Sequence, residues 1–92
     1  MIRTFRHKGL KQLFETGGSR AVAADLERRL IRQLDFLNRA ASPADMNLPG
    51  SRLHELKGGR KGTWSVTVSG NWRLTFTFHD GHAYDVDLED YH

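Results

Sequence analysis

Ninety-two residues, 38% of them apolar, can bury one modest core between two layers, and the absence of cysteine removes both a disulfide framework and a thiolate metal site. No apolar run approaches the roughly 18 residues of a membrane span, and the opening Met-Ile-Arg-Thr-Phe-Arg-His-Lys lacks a signal-peptide core, so a soluble, cytoplasmic single domain over residues 1–92 is expected. Net charge is +3, but residues 79–92 hold five acidic side chains and no Lys or Arg, leaving +8 on the first 78 residues and pointing that body toward a polyanion.

Ile-Arg-Thr-Phe at 2–5 reads as a short first strand. Leu10, Leu13 and Phe14 then follow the spacing of a buried helical stripe, which Gly17 and Gly18 stop. Ser19 is placed to cap a longer helix running from Arg20, whose apolar stripe is Val22, Leu26, Leu30, Leu34, Leu37 and Ala41. Arg28, Arg29, Arg32 and Arg39 lie off that stripe, with Asp25 spaced to pair Arg29. A solvated face is the simpler account of these arginines, and an RNA or protein contact the other. Ser42-Pro43 ends the helix, because the residue before proline is pushed out of the α region.

After a connection with a brief turn at 44–48, a short strand is expected near Leu53, followed by the flexible basic loop Lys57-Gly58-Gly59-Arg60-Lys61-Gly62. Thr63 to Phe78 carries the clearest pattern in the chain. Trp64, Val66, Val68, Trp72, Leu74, Phe76 and Phe78 alternate with polar residues, which is a hairpin with one dry face. Facing residues share a face, so two even-numbered apolar sets require an odd connection, supplied by a three-residue loop Ser69-Gly70-Asn71. His79-Asp80-Gly81 is read the same way, leading to a strand in which Tyr84, Val86 and Leu88 keep even parity. The expected fold is α+β: an antiparallel β-meander covered on one face by two N-terminal helices.

Six polar residues fall at strand ends or on the open face: His54, Lys57, Arg73, Asp90, Tyr91 and His92. Cutting RNA through its own 2′-hydroxyl requires a base, an acid and cations for the phosphorane-like transition state. Histidine serves either proton-transfer role near neutral pH, while Lys57 and Arg73 suit a phosphate clamp, Arg73 through its planar fork. Arg60 and Lys61 add positive charge in the loop. Taken singly each has an ordinary account: a surface histidine, a cross-strand partner of Asp85 or Asp87 for Arg73, frayed terminal residues. The carboxylates Asp85, Asp87 and Glu89 should lie away from the phosphate or be balanced by the loop's cations. His79 and His82 straddle a turn without carboxylate or thiol support, so no metal site is assigned.

The opening through Lys-Gly-Leu-Lys-Gln-Leu-Phe-Glu, Leu-His-Glu-Leu-Lys-Gly at 53–58, Gly-Thr-Trp-Ser-Val-Thr-Val-Ser-Gly-Asn-Trp-Arg-Leu-Thr-Phe at 62–76 and the ending Leu-Glu-Asp-Tyr-His together resemble the HigB-type toxins of bacterial toxin–antitoxin pairs, in the RelE superfamily. The resemblance implies a compact toxin that enters the ribosomal 30S A site and cleaves mRNA there with no metal or cofactor. It implies His54, Arg73, Asp90, Tyr91 and His92 as catalytic residues, with Lys57 among the activity-linked set. It also implies a HigA-type helix-turn-helix antitoxin as partner, operator DNA being reached only through that complex, and no membrane. A gyrase inhibitor on the same fold or a plain RNA-binding module are the competing functions, since one fold can host different targets.

Overall fold

These periodicities become two helices packed over one face of a four-stranded antiparallel sheet in the computed structural model, which describes residues 1–91. Helix α1 (Lys8–Thr16) starts at an extended His7 whose Nδ1 accepts the Leu10 N–H at 3.1 Å, covering one of the donors a helix start leaves orphaned. It stops at Gly17, which takes φ 83° and donates its N–H to the Leu13 carbonyl.

Helix α2 (Ala24–Arg39) starts four residues later than expected. Ser19 Oγ accepts the Ala21 N–H in a local turn, so residues 20–23 bend without joining the helix, although Val22 is still buried. The helix ends at Arg39 with an extended Ala40, and this puts Ala40 in the interior where Ala41 was expected. Its basic face is largely committed to structure. Arg29 donates to the Val68 carbonyl at 2.9 Å instead of pairing with Asp25, Arg39 pairs with Asp35, and Arg32 and Arg39 both lie over the Phe36 ring.

Strands β1 (His54–Glu55), β2 (Thr63–Ser69), β3 (Trp72–His79) and β4 (His82–Asp90) lie in sequence order across the sheet. Val66 faces Leu74 and Trp64 faces Phe76, as the even parity required, but neither turn is a three-residue loop. Ser69 pairs with Trp72 around a two-residue turn, and a register shift at Val68 supplies the odd residue. His79 likewise pairs with His82 around Asp80-Gly81, whose φ values of 50° and 80° give the doubly left-handed pattern favoured in tight hairpins. A second shift follows, in which Asp85 and Val86 stand against the single residue Phe76. Before it, Ala83 is buried opposite Phe78 and Tyr84 shares the polar face with Thr77; after it, Val86 returns to the core. The expected even parity of Tyr84 is therefore wrong by the one residue of this bulge.

The N-terminal residues do not form a regular strand. Ile2 and Phe5 make isolated parallel bridges to Ala83 and Val86 instead, because the bulge in β4 interrupts the repeat that a continuous ladder needs. Leu10, Leu13, Leu26, Leu30, Leu34 and Leu37 of the helices meet Val66, Val68, Leu74, Phe76 and Val86 of the sheet in one core, with Trp64 and Trp72 packed at its margin. The other sheet face is left for polar groups.

Candidate active site

Strand pairing lays the polar face out in rows. His54, Ser65, Thr75 and Asp87 form one row across the four strands; Thr67, Arg73 and Glu89 form the next toward the β2–β3 turn. Two strand spacings and two residues separate His54 from Arg73, about 12 Å between backbones, a gap that two long side chains can close on one phosphate.

His54 is exposed, and its Nδ1 lies 3.0 Å from the carbonyl of Arg52, a residue in the left-handed region at φ 50°. A carbonyl only accepts, so Nδ1 carries a proton, and in the neutral form of the ring the lone pair is then on Nε2. That is the tautomer a general base needs. Glu55 does not assist it, since its carboxylate accepts the Gly62 N–H at 2.9 Å and ties down the far end of the basic loop.

Arg73 donates to the Gly70 and Trp72 carbonyls at 2.6 and 3.1 Å, and its guanidinium carbon lies 5.7 Å from the Tyr91 ring centroid. Tyr91 is held there by its N–H on the Asn71 carbonyl, which extends the β4 ladder by one step. The cross-strand partners expected for Arg73 do not stand opposite it: Asp87 faces Thr75 and Asp85 lies in the bulge before it. Glu89 stands opposite it in register, yet both Glu89 oxygens are taken by Arg60 at 2.7 and 2.6 Å, and Thr75 Oγ1 adds a third bond at 2.6 Å. Among the described residues no carboxylate forms an ion pair with Arg73.

Of the residues singled out from sequence, the fold brings Arg73 and Tyr91 together and sets His54 on the same face. Lys57 and Lys61 are exposed on the loop flanking that face, on either side of a single 3-10 turn at Gly58–Arg60. Arg60, expected to grip RNA, is instead locked to Glu89. Asp90 pairs with Trp72 in register and so leaves β4 on the face opposite to Glu89 and Tyr91. His92 lies outside the described residues. Glu89 is balanced by a cation of the loop, one of the two outcomes expected for it, whereas Thr75, which bonds Glu89 across the strand pair, escaped the sequence reading because nothing local marks it. Among the described residues no three His, Cys, Asp or Glu side chains converge to hold a metal ion, and no helix is long and apolar enough to cross a membrane.

The hydrogen bonds from Arg60 hold the Glu89 carboxyl below its ordinary value of 4.5, against the opposing effect of burial and with help from the Thr75 hydroxyl; Arg60 is raised in turn. A depressed carboxylate stabilises the fold fully above its unfolded pKa and loses that contribution as pH falls through the lower folded value. Because the pair is partly exposed, Glu89→Gln should cost only about 1 kcal/mol at neutral pH. Urea unfolding of wild type and variant should show that gap at pH 7 and near-coincident curves in strong acid. A gap that persists in acid would assign the effect to packing instead.

The model of the family described as RelE-like toxin of the type II toxin-antitoxin system HigB matches residues 3–92. The chain is 46% identical over 92 residues to Endoribonuclease HigB of Proteus vulgaris, covering the whole of both chains. It is 33% identical over 91 residues to Toxin HigB-1 of Vibrio cholerae serotype O1, covering 97% of this chain and 96% of the relative. With its two helices on an antiparallel meander and a polar face carrying Arg73 and Tyr91, this chain belongs to the RelE-like HigB toxins of type II toxin–antitoxin systems.

Proposed function

We propose that this toxin is an endoribonuclease that cuts mRNA in the ribosomal A site of the cytoplasm, by attack of the RNA's own 2′-hydroxyl and without a metal. The observation that carries this reading is the Arg73 guanidinium beside Tyr91, without an ion pair among the described residues, on the same open face as the exposed His54 ring. His54 Nε2 takes the 2′-hydroxyl proton, the 2′-oxygen bonds to phosphorus, and the bond from phosphorus to the 5′-oxygen breaks. His92 returns a proton to the departing 5′-oxygen, which leaves a 2′,3′-cyclic phosphate and a 5′-hydroxyl. Arg73 and Lys57 hold the phosphate oxygens as charge accumulates on them, and Tyr91 stacks on a base.

Asp90 is assigned to orient His92; its departure on the face of β4 opposite to Glu89 and Tyr91 counts against direct proton abstraction by its carboxylate. Arg60 belongs to the platform under the site and Lys61 to the approach path of RNA. A HigA-type antitoxin neutralises the toxin, and operator DNA is bound only through that complex.

The purified chain should leave free RNA largely intact and cut within A-site codons on programmed ribosomes, with His92→Ala and His54→Ala each slowing the cut by about 10²-fold or more. Mapping the product ends decides it. Inhibition of translation with intact message, or loss of gyrase supercoiling in a parallel assay, would replace this reading with a non-enzymatic one.

A further inference from the structure

Beside the phosphate-gripping corner, the polar face holds a cavity of about 200 Å³ lined by Arg6, Gly59, Arg60, Thr63, Thr75, Thr77, Asp85 and Asp87. Its floor at Thr75 and Thr77 lies two and four residues along β3 from Arg73, about 7 to 13 Å away, within reach of the neighbouring nucleotide of a bound strand. The volume falls below the roughly 300–1,000 Å³ of a site for a drug-sized ligand and suits one planar ring.

The lining is unusual for a toxin that handles a polyanion, because two carboxylates sit in it. Both get there through the bulge in β4. Asp85 occupies the extra position at φ 54°, a conformation that a residue with a side chain adopts at a cost of about 1 kcal/mol or more, and its N–H is pinned by Thr4 Oγ1 at 2.8 Å. The shift puts Tyr84, Asp85 and Asp87 along a short stretch of β4 beside the cavity's threonines. Bulges of this kind re-aim side chains near functional sites. A phosphate would be repelled by such a pair, whereas the N–H edge of a base would be bonded by it.

Arg60 forms part of the wall with two of its five N–H donors held by Glu89, which fixes the plane of the guanidinium. Such planes stack on bases. Arg6 supplies the cation for an adjoining phosphate.

We propose that this cavity is a base pocket seating the nucleotide next to the cleaved one, and that Asp85 and Asp87 select bases presenting an amino group over uracil. Carboxylates accept from the amino group of cytosine, adenine or guanine, while uracil has no amino group and its single imino N–H is flanked by two carbonyl oxygens that a second carboxylate repels. This inference rests on the RNA-cleaving reading for its biological substrate, but the pocket can be tested without cleavage.

The test is an NMR titration of the full-length, ¹⁵N-labelled protein with AMP, CMP, GMP and UMP. Amide shifts should cluster at Gly59, Thr75, Thr77 and Asp87, with UMP binding about fivefold or more weakly than the other three. Asp85→Asn, which tolerates the left-handed backbone, and Asp87→Asn should each erase that ratio, since the amide turns one acceptor into a donor. Equal affinity for all four, shifts centred elsewhere, no binding at millimolar nucleotide, or a ratio surviving both variants would overturn the pocket. Mapping ribosomal cleavage in parallel separates the two ideas. Cleavage without selective binding removes the pocket alone, and selective binding without cleavage removes the endoribonuclease alone.

Discussion

Arg73→Ala should lower single-turnover cleavage on programmed ribosomes by about 10²- to 10³-fold, the loss typical of removing one donor that stabilises charge in a transition state. Two features make the expectation specific. Arg73 gives its hydrogen bonds to the Gly70 and Trp72 carbonyls at the hairpin end and forms no ion pair among the described residues, so its removal leaves the core and the Arg60–Glu89 pair untouched. Its planar fork can also hold two phosphate oxygens at once, which a lysine cannot. Arg73→Lys should therefore fall between wild type and alanine, and all three proteins should unfold at similar urea concentrations. Cleavage by the alanine variant within about threefold of wild type, on a scale where one donor is worth far more, would move the phosphate grip elsewhere on the face.

Phe76→Ala should be the most damaging single change to stability, at about 3–5 kcal/mol. Phe76 is fully buried on β3, opposite Trp64 on one side and flanked on the other by the bulge that carries Val86 into the core. Small domains have only about 5–15 kcal/mol in total, so the variant should stand at the margin of folding. Urea denaturation followed by tryptophan fluorescence measures this directly, since Trp64 and Trp72 lie at the core's edge. Phe76→Leu, which keeps most of the volume, should recover the larger part of the loss. If alanine costs no more than a surface substitution, the core is not centred on this strand.

Comparing pattern with structure shows where local chemistry suffices. Alternation from Trp64 to Phe78 placed Arg73 on the polar face, because a strand's period of two admits one register that buries both tryptophan-bearing halves. The same logic failed at the turns. An odd connection can be a three-residue loop or a two-residue turn with a bulge, and parity does not distinguish them. The consequence was largest in β4, where one extra residue moved Tyr84 to the polar face and Asp85 into the cavity. Helix α2 began late because Ser19 satisfied a nearer amide. At the site, Arg73, Tyr91 and His54 were legible as polar residues on a strand face or at strand ends, and a loop cation balancing Glu89 was among the expectations, whereas the choice of Arg60 and the Thr75 bond in the Arg60–Glu89–Thr75 network were not. It joins a loop to the far strand, and such pairings leave no periodic trace.

The way the sheet ends on either side bears on self-association. Strand β1 is two residues long, but the outer margin of β2 is satisfied well beyond it: Leu56 bonds the Thr63 carbonyl, Ser51 accepts the Thr67 N–H, and Gln33 and Arg29 reach from α2 to the Thr67 and Val68 carbonyls. On the opposite side the N-terminal residues cover β4 with bonds at Arg3, Arg6, Ala83 and Val86. Along these stretches an incoming strand, from a second copy or an aggregate, meets backbone groups that are already paired and would have to displace these contacts first. Polar side chains can thus line an open face of this small basic protein without the sheet itself becoming a template for fibres.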